Sequence, residues 1–211
     1  MQAHNFDVDI TTPHTNQKIK ISKDFIEVNN DKIACEDVKA VKYGVSLLGG
    51  VKNPSGKDYI IDILSKTDKT ISIRFKSGKV EELLEEDHTY YYIMSGVWQY
   101  VKKYLVGHFI EALNNKTSFS VAGTQITQQG FMMTFSTGFL FWKKQKTELV
   151  PWSELKYYLN KGVLYVESLS DRNKKATFSL HNDWNAVVLN TLLHYLWQDH
   201  RKEKLAKGQT I

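Results

Sequence analysis

Two different periods of apolar residues follow one another in the first half of the chain. Between residues 17 and 75, short segments alternate apolar and polar side chains, as in Ile19-Lys20-Ile21 and Ile71-Ser72-Ile73. An apolar residue at every second position predicts a β-strand with one buried face. Turn-forming residues such as Asn29-Asn30-Asp31 and Thr67-Asp68-Lys69 separate the segments. The first part of the chain is therefore predicted to form a series of short strands.

A long amphipathic helix is predicted after these strands. From about Asp87 to Leu113, apolar residues recur at steps of three and four, the spacing of one helical face. Asp87 is the predicted N-cap, because its carboxylate can accept from free backbone N–H groups, and Asn114-Asn115 is the predicted end. The predicted buried face consists of Met94, Val97, Trp98, Val101, Leu105, Phe109 and Leu113.

The second half of the chain repeats this order. Strand-like segments extend from Phe119 to Leu180, and residues 164–180 match residues 60–75. A second helix is predicted from Asn182, its cap, to about Lys204. Its predicted apolar face is Trp184, Val187, Val188, Leu192, Tyr195 and Leu196. Internal repetition predicts two copies of one unit, and strands followed by a single helix argue against a parallel α/β sheet.

Three features of the chain resemble bacterial proteins with tandem pleckstrin-homology-like (PH-like) domains. They are the series of short strands, the segment Leu149-Val150-Pro151-Trp152-Ser153-Glu154-Leu155 and the helix start Asn182-Asp183-Trp184-Asn185. The resemblance covers about residues 17–200. It implies a mainly β fold with α-helices. Each of two tandem PH-like units would be a bent antiparallel β-sandwich or partly open barrel, capped by a C-terminal amphipathic helix. It also implies a role in binding or assembly, and no catalytic residues.

The predicted organisation assigns different charges to the two copies. Residues 1–16 form an N-terminal extension that could add a strand, residues 17–115 the first PH-like domain, residues 116–200 the second, and residues 201–211 a basic tail. Residues 1–115 contain 15 Lys and Arg against 16 Asp and Glu, whereas residues 116–211 contain 13 against 7. The basic charge therefore belongs to the second half of the chain. A weak preference for anionic partners and a solvated basic surface both remain open.

Cysteine usage and the N-terminus point to the cytoplasm. The chain has one cysteine, Cys35, which excludes an intramolecular disulfide and favours a reducing compartment. We expect Cys35 to be a small buried hydrophobe. The first residues have neither the basic nor the apolar region of a signal peptide. No apolar stretch approaches the roughly 20 residues that span a bilayer.

Motifs of enzymes and of metal sites occur only as near misses. Gly50 to Lys57 resembles a phosphate-binding P-loop, but five residues separate its glycines and Asp58 follows the lysine. His194 and His200 lie too far apart for paired ligands on one helical face. The acidic run from Glu81 to Asp87 is interpreted as solvated carboxylates near the helix N-terminus. The sequence thus predicts a non-enzymatic protein without catalytic, cofactor-binding or metal-binding residues, although a site assembled from dispersed residues remains an alternative.

The candidate interaction surface is an apolar hairpin in the second copy. Its residues are Phe135, Phe139, Phe141, Trp142, Lys143, Lys144 and Lys146. A strand with one solvated face should alternate, so we expect something to cover the second face of this hairpin. Three alternatives for what covers this face are left open: another part of the chain, a second copy in a homo-oligomer, or a membrane surface, where aromatic residues beside lysines are common.

The predicted function is therefore a non-enzymatic binding or assembly module that engages a protein partner or a second copy of itself. The alternative is a peripheral protein that binds anionic lipid through the hairpin around residues 131–146. Nucleic-acid binding is disfavoured, because the basic tail that begins at Arg201 lacks interleaved aromatic residues.

Overall fold

The computed structural model describes residues 6–50, 52–137 and 144–206, with side-chain surroundings described as far as residue 198. The chain divides into two compact units, residues 1–105 and residues 106–211. The division precedes the boundary predicted at residue 115. The second half of the long helix accordingly contributes to the second unit.

The first unit contains two antiparallel sheets within its described residues. The strands are β1 (Val8–Thr11), β2 (Lys18–Ile21), β3 (Phe25–Val28), β4 (Asp31–Ala34), β5 (Val38–Gly50), β6 (Asn53–Ser65) and β7 (Thr70–Ser77). The sheet orders are β1-β2-β3-β4 and β5-β6-β7, and a 3₁₀ turn at Cys35–Asp37 connects them. The strand β1 lies within the predicted N-terminal extension and pairs with β2.

Helical residues follow β7. They comprise α1 (Glu85–Val97), a π-helical segment (Trp98–Lys102) and α2 (Lys103–Asn114). Helix α1 contacts β1, β2 and β7. The core between helix and sheets is made of apolar side chains that are almost completely buried: Ile19, Ile21, Ile26, Val41, Tyr59, Ile61, Ile63, Ile73, Phe75, Ile93, Val97 and Val101. All of them are β-branched or aromatic, and on the strands such side chains suit a pleated surface with one buried face.

The second unit repeats the order of elements. Its strands are β8 (Phe119–Val121), β9 (Thr124–Thr127), β10 (Gly130–Thr137), β11 (Lys144–Pro151), β12 (Leu155–Asn160), β13 (Val163–Ser168) and β14 (Lys175–Ser179). The sheets have the orders β11-β10-β9-β8 and β12-β13-β14, with a 3₁₀ turn at Trp152–Glu154 between them. Helix α3 (Ala186–Ala206) ends the described chain.

One hydrophobic core fills the second unit. Its fully buried members include Ile126, Phe131, Met133, Leu164, Val166, Phe178, Leu189 and Leu192. Leu113 from α2 belongs to this core, and Phe109 stacks on Phe119 with ring centroids 4.0 Å apart. The mainly β architecture with helices is as predicted, and both units contain antiparallel sheets.

Several predicted boundaries were wrong. Helix α1 begins at Glu85 rather than at Asp87, and α3 begins at Ala186 rather than at Asn182. The backbone of residue 186 donates to the Asp183 carbonyl, so turns precede this helix. Gly49, Gly50 and Pro54 are residues typical of loops, but they pair in the end of the β5–β6 ladder. Glycine is required at position 56, because a Cβ there would lie 2.1 Å from the carbonyl oxygen of Ser77.

No helix in the part of the chain that the structure describes is long and apolar enough to cross a bilayer.

Candidate functional site

A groove in the first unit is lined mainly by aromatic and apolar side chains. It has a volume of about 450 Å³ and lies between β5, α1 and Phe6, which precedes β1. We call it the aromatic groove; its lining residues are Phe6, Tyr43, Tyr90, Tyr91, Met94, Ser95, Trp98 and Gln99. Its size is that of a site for a small ligand or for one or two side chains of a partner.

The floor of the aromatic groove is rigidly packed. Tyr90 is buried, and its ring lies 5.4 Å from that of Tyr59, which itself stacks on Phe75 at 4.8 Å. Tyr91 lies edge-on to Tyr90 at 6.1 Å and is 62% exposed. The groove therefore combines a fixed aromatic floor with an aromatic wall that is open to solvent.

The N-terminal segment forms one rim. The hydroxyl of Tyr100 donates to the Asp7 carboxylate at 3.0 Å and accepts from the Phe6 backbone at 3.3 Å. The hydroxyl of Tyr92 donates to the Asp7 carbonyl at 2.9 Å. These bonds hold the segment against the helical residues, with the Phe6 ring at the groove.

The π-helical segment places Trp98 in the lining of the groove and Lys102 behind the lining residues Tyr43 and Trp98. The Lys103 N–H donates to the Trp98 carbonyl, a step of five residues that widens the turn. Trp98 is 44% exposed, although the spacing of apolar residues predicted it to be on the buried face. Lys102 is only 7% exposed, although it lies outside the predicted buried face. Single π turns inside helices frequently occur at functional sites.

Lys102 points toward Tyr43 of β5. Its Nζ donates to the Tyr43 hydroxyl at 2.6 Å, and it lies 4.8 Å from the Trp98 ring centroid and 5.2 Å from that of Tyr43. Burial disfavours the charged amine and lowers the pKa of Lys102 to about 8. Burial also raises the pKa of the Tyr43 phenol, so that phenol stays protonated.

Lys57 lies in a different environment in the same unit. Its Nζ donates to both carboxylate oxygens of Asp87, at 3.0 and 2.9 Å. The Asp87 carboxylate also accepts from the Tyr59 hydroxyl at 2.8 Å and from the Leu84 N–H at 3.0 Å. Burial alone would raise the pKa of Asp87, but the hydrogen bonds from Lys57, Leu84 and Tyr59 outweigh it and hold this pKa below its ordinary value.

The prediction of a solvated acidic run was therefore wrong at two positions. Glu86 and Asp87 are buried, and Glu86 contacts Nε2 of His14 at 3.0 Å. Asp87 is the third residue of α1 rather than its N-cap, and it reaches back to the N–H of the preceding Leu84. The lysine of the P-loop-like segment is thus held by a carboxylate in the core.

The predicted hairpin surface is described only in part. Phe135 is half-buried, with Lys174 Nζ 5.4 Å from its ring centroid. Lys144 and Lys146 are exposed. Hydrogen bonds from Lys146 and from Lys174, the latter at 2.6 Å, lower the pKa of Glu148 to about 2. Phe139, Phe141, Trp142 and Lys143 lie outside the described residues.

The described part of this hairpin has one apolar face. Phe131 and Met133 are fully buried in the core of the second unit. On the other face, Thr134 pairs with Thr147 through their hydroxyls at 2.9 Å, and Leu149 is 39% exposed. For the described residues, the expectation of two apolar faces is met only by Met132 and Leu149, which are neighbours in the ladder.

The remaining candidate chemistry gives no reactive centre. Cys35 is buried, its Sγ lies 3.4 Å from the Ser22 carbonyl oxygen, and burial raises the pKa of its thiol to about 11. Among the described residues, no group of three or more His, Cys, Asp or Glu side chains could hold a metal ion. The aromatic groove is consequently the site with the clearest chemical character: its walls are mainly aromatic and apolar, and the Lys102 ammonium group lies one hydrogen bond behind Tyr43.

A scan against protein-family models, a search of curated proteins and a search of solved structures each return no match for this chain.

Proposed function

We propose that this protein is a non-enzymatic binding or assembly module, and that the aromatic groove of its first unit binds a protein partner. The exposed aromatic wall carries the proposal. Tyr91 and Trp98 are 62% and 44% exposed beside a groove of about 450 Å³. Aromatic side chains in such positions dominate the energetics of protein interfaces, because they bury a large area at a small entropic cost.

We also propose that each unit is a PH-like domain. The support is the order of elements, which is the same in both units: a four-stranded antiparallel sheet, a 3₁₀ turn, a three-stranded antiparallel sheet and helical residues. A scaffold of this kind supplies fixed surfaces, and it leaves function to the side chains placed on them.

The proposal is tested with a displayed library of random eight-residue peptides, selected against the immobilised full chain. We expect enriched peptides that bind the wild-type chain and lose at least tenfold in affinity against Trp98→Ala. Leu83→Ala is the matched control, because Leu83 is 73% exposed and does not line the groove. Peptides that bind Trp98→Ala and wild type equally would show that the binding site lies outside the aromatic groove. A failure to enrich any peptide would contradict binding of a linear partner segment.

A second copy of the chain is the alternative protein partner. Sedimentation of the wild type over a range of concentrations tests it, with Trp98→Ala as the comparison. Concentration-dependent association that the substitution abolishes assigns the aromatic groove to a homo-oligomer.

The second candidate function is binding to an anionic membrane surface through the hairpin around residues 131–146. It is favoured by the exposure of Lys144 and Lys146 on β11, a strand that also carries the exposed Leu149. Flotation with vesicles that contain anionic lipid, at low salt, tests it. Co-flotation that Lys144→Glu reduces and salt abolishes supports this function, and no co-flotation at low salt removes it.

A further inference from the structure

Lys102 is a buried ammonium group without a carboxylate partner in the part of the chain that the structure describes. The salt bridges found there do not include it, and its hydrogen bond goes to a neutral phenol, Tyr43. The aromatic rings of Trp98 and Tyr43 compensate part of its charge. A buried cation with such compensation still loses much of its hydration, which disfavours the folded state.

The Tyr43 hydroxyl is oriented by this contact. A lysine ammonium can only donate, so the oxygen of Tyr43 accepts, and its own hydrogen remains available to donate. Among the described residues, no second hydrogen-bond partner of this hydroxyl is found, and Tyr43 lines the aromatic groove. The Tyr43 phenol can thus donate to a ligand in the groove, and a positive charge lies one hydrogen bond behind it.

We propose that the aromatic groove recognises a segment of a partner protein in which a carboxylate side chain, Asp or Glu, lies among apolar side chains. This inference rests on the proposed function and names the chemistry of its partner. The carboxylate accepts from the Tyr43 hydroxyl and neutralises Lys102, while the flanking apolar side chains contact the aromatic walls. Charge-assisted hydrogen bonds in a poorly hydrated site are stronger than neutral ones, so the carboxylate supplies specificity as well as affinity.

An extended peptide fits the apolar surface better than a small ligand does. Tyr43, Val45 and Leu47 lie on one face of β5, because side chains alternate along a strand. Val45 and Leu47 are 45% and 59% exposed, so the apolar surface continues along β5 beyond the groove. At about 3.3 Å per residue, the distance from Tyr43 to Leu47 is roughly 13 Å, the length of about four residues of extended chain.

A carboxylate also fits the donor set better than a phosphate group. Phosphate sites usually combine several cationic groups, backbone N–H groups or a bidentate arginine. Here the charge-assisted donor is the Tyr43 hydroxyl of β5, and a single ammonium group, that of Lys102, lies one hydrogen bond behind it. A single planar anion with one oxygen toward Tyr43 matches that arrangement.

The test uses the peptides enriched on the full wild-type chain from the random library. We expect their consensus to contain Asp or Glu flanked by apolar residues. Replacing that residue by Asn or Gln should weaken binding to the wild type at least tenfold, and should change binding to Lys102→Met less than twofold. Lys103→Met is the matched control, because Lys103 is the exposed neighbour of Lys102 at the start of α2.

Three results contradict this inference in distinguishable ways. The first result is a set of enriched peptides without an acidic residue that bind Lys102→Met as well as wild type but do not bind Trp98→Ala. It would contradict recognition of a carboxylate, while the groove would remain the binding site. An acidic consensus that weakens equally on wild type and on Lys102→Met places the carboxylate away from Lys102. Absence of any enriched peptide overturns this inference and the proposed peptide-binding function together.

Discussion

The first unit buries two lysines in contrasting environments. Lys57 contacts both oxygens of the Asp87 carboxylate, which Tyr59 and the Leu84 N–H also bind. Lys102 is buried, but its hydrogen-bond partner is a neutral phenol. The first arrangement is a completed buried ion pair, whereas the second lacks an anion among the described side chains.

The charge of Lys57, paired with a carboxylate, is suited to holding the fold together, whereas the charge of Lys102 is suited to binding a ligand. A completed buried pair fixes the position of α1 on β6, and removing either partner leaves an uncompensated charge. A buried ammonium group without an anion destabilises the fold, and a ligand that supplies an anion stabilises it. Residues that reduce stability and lie beside a groove are typical of functional sites.

The largest expected effect concerns the completed pair. We expect Asp87→Asn to lower the free energy of unfolding by about 3 to 5 kcal/mol, because Lys57 then remains buried without a counter-charge. Urea unfolding at neutral pH measures the change. Glu85→Gln, an exposed acid in the same first turn, is the matched control and should change stability by less than about 0.5 kcal/mol. A loss below about 1 kcal/mol for Asp87→Asn would show that the pair is effectively solvated.

Replacing Lys102 should change the free energy of unfolding in the opposite direction. We expect Lys102→Met to raise the free energy of unfolding at pH 7 by about 1 to 3 kcal/mol, because it replaces a desolvated charge by an apolar side chain of similar length. Lys103→Met, on the exposed side, should have almost no effect. Destabilisation by Lys102→Met would mean that the Tyr43 and Trp98 contacts outweigh the cost of burial.

The stability of the fold should depend on pH through Lys102. The pKa of Lys102 is lowered from 10.5 to about 8 in the folded chain, so the unfolded chain binds more protons above that pH. Stability should therefore rise with pH, by about 2 kcal/mol between about pH 8 and pH 9.5. The comparison of urea midpoints with Lys102→Met isolates this contribution from other groups. An identical pH dependence in both proteins contradicts it.

The smallest expected effect comes from the phenol. Tyr43→Phe removes the acceptor of the Lys102 hydrogen bond and should lower stability by about 1 kcal/mol. Tyr91→Phe is the control, since the Tyr91 side chain is largely exposed. Thermal unfolding of the two variants, measured side by side, checks the difference. Equal stabilities would show that the amine finds another acceptor when the hydroxyl is absent.

The β-rich architecture could be predicted from local pattern, because alternation and turn residues act over a few positions. The length of β5 and β6 could not. Gly49, Gly50 and Pro54 are typical of loops, yet these residues pair in the ladder, where Gly49 adopts a φ of 86°. Tertiary pairing overrides local preference there, because close approach of β7 permits only glycine at position 56.

The groove could not be predicted by counting apolar residues at helical spacing. Such counting assumes 3.6 residues per turn, and the π-helical segment at Trp98–Lys102 changes that phase. Trp98 is therefore more exposed than predicted, and Lys102 is buried. A lysine that directly follows the buried Val101 was the only local signal, and it is indistinguishable from an ordinary surface lysine in sequence. The hairpin prediction of Phe139, Phe141, Trp142 and Lys143 stays a prediction.

The central claim is that Lys102 is a buried amine that a carboxylate from a partner neutralises. The most direct measurement is a pH titration of the Lys102 side chain by NMR, assigned by its loss in Lys102→Met, in the free chain and with a bound acidic peptide. We predict a midpoint near 8 in the free chain, and a midpoint shifted upward by at least one pH unit in the complex. A midpoint near the ordinary 10.5 in the free chain, or no upward shift on peptide binding, would contradict the claim.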